Sequence, residues 1–229
     1  MALDGDAEAK WFLVSGGSGG IGSAICEDLA SCGYKPLVGY HRNREAAIAV
    51  AERTGGVPLP LDLSQDESIE SALQTLGELP RLYGVVLAGS PPLCPVPFGK
   101  ISHEHMFEQW QVNVVGPQKL LASLVKHCFR KHKAGCVVGI LTQAMGDDEK
   151  PVASGMGAYV IAKYGMQGML ALLAADYPWL SVRSVSPGYT ETRMLEAFDP
   201  RFLELQRSRI AFHTPQEIAA QVLAEVIQP

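Results

Sequence analysis

Short apolar runs alternate along this chain with longer stretches in which apolar positions recur every three or four residues. That is the pattern of strand–helix–strand units with parallel strands. The runs predict strands at 11–15 (WFLVS), 35–40 (KPLVGY), 57–61 (VPLPL), 84–88 (GVVLA), 136–141 (CVVGIL) and 181–186 (SVRSVS). Helices are predicted at 20–32, 43–53, 65–77, 102–131, 156–176 and 215–227. The strands carry Val and Leu continuously, without alternating polar residues, as expected of a sheet covered by helices on both faces. No polar linker interrupts the pattern, so residues 1–229 are read as one α/β domain.

The first strand runs into VSGGSGGIG, Val14 to Gly22, and an amphipathic helix leaves it through Ile21, Ala24, Ile25 and Leu29. A flexible linker would not be clamped between a strand and a helix, whereas a phosphate cradle would. Gly16 suits the tight turn, Gly20 lets backbone N–H groups approach a pyrophosphate, and Gly22 permits close helix–strand packing. The helix N-terminus adds oriented donors and partial positive charge. In this context the glycines predict dinucleotide binding.

An acidic residue that holds an adenosine ribose belongs at the end of the second strand. Here that place reads YHRNRE, with His41, Arg42 and Arg44 and no acid before Glu45. Arginines suit a 2′-phosphate, which an acid would repel. Arg42 is the candidate and NADPH/NADP+ the expected cofactor; the alternative is that both arginines open a solvated helix.

Composition narrows the class. The chain has 229 residues, 47% of them hydrophobic, and a net charge of −5, which favours neither nucleic acid nor a membrane surface. The N-terminus MALDGDAEAKW is acidic and has no secretory pattern, and the longest apolar region, Met166 to Ala175, is too short to cross a bilayer. Five scattered cysteines without a CxxC spacing read as reduced residues of a cytoplasmic protein, and no metal site is expected.

With these features in place, the sequence resembles the short-chain dehydrogenase/reductase family along nearly its whole length. SGGSGGIG is similar to the family's TGxxxGxG loop, with Ser15 in place of Thr; the resemblance assigns Ser15, Gly16, Ser18, Gly20, Ile21 and Gly22 to the cofactor. LDLS resembles the adenine-side motif, putting Asp62 and Leu63 there. VNVVGP carries the family's helix asparagine as Asn113, YVIAK matches YxxxK with Tyr159 and Lys163, and SPGYTET would set Pro187, Gly188 and Thr192 beside the nicotinamide. The family implies a Rossmann-like three-layer αβα sandwich on a parallel sheet of about six strands. Many relatives continue into a seventh strand, which this chain is expected to lack.

The chemistry of the YVIAK helix also stands by itself. Tyr159 and Lys163 are four apart and share a helix face. A tyrosine of ordinary pKa is a sluggish acid at neutral pH, and a nearby ammonium, reinforced by oxidised nicotinamide, is expected to lower it. Lys163 would also hold the nicotinamide ribose. By resemblance Asn113 bends its helix and holds a water linked to Lys163 for proton relay.

Three places depart from the family. The serine that usually polarises the carbonyl is replaced by Thr142, which offers the same hydroxyl. Thr142 lies 159 − 142 = 17 residues before Tyr159, a few more than usual, so AMGDDEKPVASGMG must bulge; Ser154 is a weaker candidate for the same role. The usual NNAG appears as VLAG, Val86 to Gly89, which loses a side-chain tie between strands but leaves Ala88 and Gly89 at the cofactor. A homodimer or higher oligomer is expected through the fourth and fifth helices, with a stripe of Leu120, Leu121 and Leu124; burial within one subunit is the alternative.

Among relatives the chain looks most like 3-oxoacyl-[acyl-carrier-protein] reductases, which pass hydride from NADPH to a β-keto thioester. Lys126, Arg130, Lys131, His132 and Lys133 cluster at the end of the fourth helix and would dock an acidic carrier protein, or would simply suit the helix dipole. A reductase of a free small molecule and a non-catalytic nucleotide-binding subunit are the alternatives; Tyr159, Lys163 and Asn113 argue against the last.

Overall fold

In the first strand Trp11 and Leu13 enter one buried cluster while Phe12 and Val14 enter another. Successive side chains of a strand point to opposite faces, so an unbroken apolar run means that both faces are covered. A computed structural model, describing residues 9–227, has this arrangement throughout. The strands are β1 (Lys10–Ser15), β2 (Tyr34–Tyr40), β3 (Val57–Pro60), β4 (Leu82–Leu87), β5 (Cys136–Ile140) and β6 (Ser181–Val185). They form one parallel sheet in the order β3-β2-β1-β4-β5-β6.

The helices are α1 (Gly20–Ser31), α2 (Arg44–Thr54), α3 (Asp66–Gly77), α4 (His103–Trp110), α5 (Gly116–Leu124), α6 (Gly157–Asp176), α7 (Pro200–Arg207) and α8 (Pro215–Ile227). Ile25, Val50 and Val222 bring α1, α2 and α8 onto one face; Ile69, Leu120 and Met166 bring α3, α5 and α6 onto the other. The result is the three-layer αβα sandwich expected, with six strands and β6 at the edge among the described residues. Strand order reverses between β1 and β4, and in open α/β sheets the crevice beyond the carboxyl ends of such a pair is where ligands bind.

Four expectations change. The helix predicted over 102–131 is interrupted by two π turns, Gln111–Val115 between α4 and α5 and Val125–Phe129 after α5. The first has a cause in the sequence. Pro117 has no N–H to give the carbonyl of Asn113, and the Asn113 side chain takes the carbonyl of Gln109. The second is closed by the Arg130 N–H donating to the Val125 carbonyl, and nothing in the structure explains why it forms. Leu120, Leu121 and Leu124 are buried in the core of the single chain, so they are not an interface stripe.

Helix α6 is, by length and composition alone, long enough and apolar enough to cross a membrane. Counting uninterrupted apolar runs missed it because Gln167 and Gly168 break the run without ending the helix. Its Tyr159, Val160, Met166 and Leu170 belong to the buried core. Finally, the exposed basic cluster 126–133 stands just before β5, whereas Thr142 follows that strand. Five strand residues, roughly 16 Å, separate it from the carboxyl edge where the site lies.

Candidate active site

At the crevice, Gly16 has φ +67°, and a Cβ there would lie 2.7 Å from the Gly89 Cα, so the β1 turn and the β4 end approach as only glycine allows. Gly19 caps α1 without a side-chain hydrogen bond, and Gly19 and Gly20 are exposed, leaving the helix N-terminus open. Thr192 borders it, its methyl 2.7 Å from where a Cβ on Gly20 would sit. Ser18 and Ile21 are half-buried along the same turn, and Gly22 is buried against the Gly16 carbonyl. Ser15 is placed otherwise: it is buried, and its hydroxyl accepts from the Gly89 N–H at 3.3 Å. It ties β1 to the end of β4, work that the missing asparagines of VLAG leave undone.

At the adenosine end Arg42 and Arg44 are exposed, and the Asn43 side chain caps α2 by accepting from the Ala46 N–H. His41 Nε2 lies 3.0 Å from Asp62 Oδ2, and Asp62 Oδ1 accepts from the Ser64 N–H and hydroxyl. Leu63 is buried, its carbonyl packed on Gly116 with no room for a Cβ. An open helix N-terminus over a positive-φ glycine fits a dinucleotide: the turn faces a pyrophosphate, with Asp62 and Leu63 at the adenosine end.

At the catalytic end the buried Tyr159 and Lys163 sit one helical turn apart on α6, with Lys163 Nζ 5.6 Å from the Tyr159 ring. Lys163 donates to the Ile140 carbonyl at 2.7 Å, which pins α6 to the end of β5. Thr142 Oγ1 accepts from the Ala144 N–H at 3.2 Å, so its proton is free to be donated. The structure corrects the expected titration. Burial holds the Tyr159 phenol above its ordinary value, and a side-chain hydrogen bond with Thr142 pulls it back. Burial also brings Lys163 down to about 7. A low-dielectric site penalises the charged form of both groups, so closeness to Lys163 does not by itself make a phenolate.

The 17-residue gap is taken up by a loop closed where the Ala153 N–H donates to the Ala144 carbonyl. Gly146 turns there at φ +74°, and Asp147 accepts from the N–H groups of Glu149 and Lys150. The excursion leaves Thr142 on Tyr159, and Ser154 lies exposed in the turn before α6. The Gln143 N–H donates to the Pro187 carbonyl, and Gly188 packs on the Gln143 side chain, so the segment after β6 stays beside Thr142. Ala88 continues β4 at the same edge, its N–H donating to the Ser15 carbonyl.

Three features escaped sequence reasoning. Gln109 is 3% exposed, donates to the Pro92 carbonyl and accepts from Asn113. A glutamine in an amphipathic helix carries no signal of its own. Tyr164 donates to the Met145 carbonyl at 2.6 Å, tying α6 to the loop after Thr142. Tyr189, Phe198, Phe202 and Phe212 assemble an aromatic cluster over the segment after β6, with Arg207 on the Phe212 ring and paired with Glu191. Their scatter over 189–212 hid it.

A crevice with an open nucleotide turn beside a buried Tyr–Lys pair defines a nucleotide-dependent oxidoreductase. The profile of the family described as short chain dehydrogenase matches residues 10–201, and the chain belongs to that family. It is 29% identical over 196 residues to 2,5-dichloro-2,5-cyclohexadiene-1,4-diol dehydrogenase of Sphingobium indicum, covering 83% of this chain and 76% of that protein. It is 28% identical over 231 residues to acetoacetyl-CoA reductase of an Acinetobacter species, covering 95% and 90%. The 3-ketoacyl-(acyl-carrier-protein) reductase of Brucella melitensis, solved with NADH, has the same fold: TM-score 0.84 at 19% identity, covering 97% of this chain and 92% of that one.

Proposed function

We propose that the protein reduces a ketone to a secondary alcohol with NADPH, and that the ketone is the β-keto group of an acyl thioester, carried on acyl carrier protein or a similar thiol. The observation that carries the reaction type is the buried Tyr159 with Lys163 Nζ 5.6 Å from its ring, at the sheet edge that also holds Thr142 and the glycine turn. When bound, the nicotinamide supplies the hydride. Tyr159 gives the carbonyl oxygen its proton, and Thr142 donates a hydrogen bond to the charge growing there. Lys163 holds the ribose and returns a proton to Tyr159, aided by Asn113. NADPH is the preferred nucleotide because an exposed guanidinium, Arg42, stands where a ribose-binding acid would.

The thioester reading draws on acetoacetyl-CoA reductase, whose named substrate is a β-keto thioester. A second reading, a free ring-shaped ketone or alcohol, is favoured by the aromatic cluster of Tyr189, Phe198, Phe202 and Phe212. A homodimer would pair the exposed Phe107, Trp110, Tyr164 and Leu172 on α4 and α6.

A substrate panel tests the reading: β-keto thioesters on coenzyme A and on carrier protein, cyclic ketones, and cyclic secondary alcohols with NADP+. Turnover of thioesters at least tenfold above the ring substrates is expected. The reverse ranking assigns the protein to free ring substrates, and no turnover of any carbonyl or alcohol overturns the reductase reading.

A further inference from the structure

We propose that Gln109 is a positioning residue: it sets the direction of the buried Asn113 amide and so the acceptor offered to the proton path at Lys163. This rests on the reductase reading. The chain of reasoning begins at Pro92, whose carbonyl only accepts. Gln109 Nε2 donates to it at 3.0 Å, so Gln109 Oε1 must face the other way. There it meets Asn113 Nδ2 at 3.1 Å, and the Gln109 backbone carbonyl meets the same nitrogen at 2.9 Å. Two acceptors hold the Asn113 nitrogen, and the Asn113 oxygen is turned to the opposite side. An amide direction is normally assigned by default; here a run of obligate acceptors dictates it.

The oxygen so turned, Asn113 Oδ1, is buried with no donor among the described residues. Such an acceptor is costly unless a water or an ammonium reaches it. A donor stands on the neighbouring helix. The π turn Gln111–Val115 lies against α6, where a Cβ on Gly165 would sit 2.7 Å from the Trp110 ring and 2.8 Å from Val114. Lys163, buried on the same helix α6, carries up to three N–H donors and places one on Ile140. A buried ammonium with donors to spare and a buried amide oxygen without one occupy adjoining elements. Gln109 also joins this pair to the 89–97 segment through Pro92, so the loop beyond the cofactor end of β4 and the proton path share one bond network.

Two variants and two readouts test the assignment. In Gln109→Leu the Asn113 amide keeps only its bond to the backbone carbonyl of residue 109 and its direction is less firmly set; turnover falls about tenfold, with a larger solvent isotope effect and unchanged nucleotide affinity by fluorescence titration. In Gln109→Glu a protonated carboxyl reproduces the pattern, its O–H donating to Pro92 and its C=O accepting from Asn113. That variant keeps turnover within about threefold of wild type at acidic pH and loses it as the carboxyl ionises, a limb absent from wild type. The titratable groups on the surrounding elements are Tyr159, Lys163, Tyr164 and Asp176 on α6, Cys94 in the 89–97 loop, and His103, Glu104, His105 and Glu108 on α4, and all are common to both proteins. Wild-type turnover and isotope effect in Gln109→Leu, or losses in both variants that follow only their melting temperatures, would overturn the proposal.

The second readout needs no substrate: the Lys163 ammonium is followed by nitrogen NMR in the ligand-free protein. Loss of an oriented acceptor lowers its titration midpoint in Gln109→Leu. An unchanged midpoint sinks the Gln109 role even in a protein that reduces ketones. A lowered midpoint in a protein that reduces none keeps the role and removes only the reductase reading.

Discussion

The two ends of the crevice are made of different materials. At the nucleotide end the working parts are backbone and exposed charge: the positive-φ Gly16, the open N-terminus at Gly19 and Gly20, and Arg42 in solvent. At the catalytic end they are side chains taken out of water: Tyr159, Lys163, Asn113 and Gln109, all buried. An exposed guanidinium keeps its charge without help and tolerates changes nearby. A buried lysine does not; burial alone brings Lys163 to about 7, and its hydrogen bond to Ile140 holds it in place. Binding and chemistry should therefore separate under mutation.

The largest effect expected is from Tyr159→Phe. Losing the general acid should reduce turnover about a hundredfold or more, with NADPH affinity by fluorescence titration unchanged. Near-normal turnover would remove Tyr159 from the reaction and with it the distinction between the two ends. Thr142→Val should follow, with a loss of up to about a hundredfold, whereas Thr142→Ser keeps most activity because only the hydroxyl acts. Valine performing as well as threonine would transfer the role, to Ser154 first.

Arg42→Ala tests the other end. A charge-assisted bond is worth roughly 1.5–3 kcal/mol, so NADPH affinity should fall about ten- to a hundredfold and NADH affinity hardly at all. Calorimetric titration of both nucleotides decides it; a wild-type preference for NADH would break the cofactor assignment outright.

Lys163 gives a pH-dependent effect of smaller size. Its ordinary value of 10.5 falls to about 7 in the folded, ligand-free chain. Between those values the unfolded chain binds a proton that the folded chain has released. Stability therefore rises with pH in that window, by up to about 1.4 kcal/mol per unit from this group. Lys163→Met should be more stable than wild type, most clearly at pH 7, with the gap closing toward pH 9. A gap in melting temperature that does not narrow would mean that Lys163 is charged throughout.

The smallest effect belongs to the basic cluster. Reversing Lys131 and Lys133 to glutamate should slow carrier-bound substrate a few-fold at most, through association rate, and leave a free thioester unchanged. The cluster lies at the opposite edge of the sheet from Thr142, and equal effects on both substrates would end its claim to dock a carrier.

The nucleotide end was the more legible in the sequence because its parts are local. A strand, five glycines, a helix and the residues closing the next strand occupy contiguous stretches, and each states its backbone need directly. The same holds for the sheet: unbroken apolar strands spaced by amphipathic helices leave few alternatives to a parallel, doubly covered sheet. The Tyr159–Lys163 spacing was readable for the same reason, since four residues of helix place them on one face.

What the sequence could not decide depends on contacts between distant segments. The length of the 143–158 excursion was visible; that it closes between Ala144 and Ala153 and leaves Thr142 on Tyr159 was not. Leu120, Leu121 and Leu124 form the same stripe whether they face a partner or the core, and only the packed chain puts them inside. The bond from Asn113 to Gln109, and from Gln109 to a carbonyl 17 residues earlier, needed the fold. The titration of Tyr159 and Lys163 was decided there as well. Spacing makes two groups neighbours, but the depth of burial sets the cost of charging either one, and depth is a property of the whole chain.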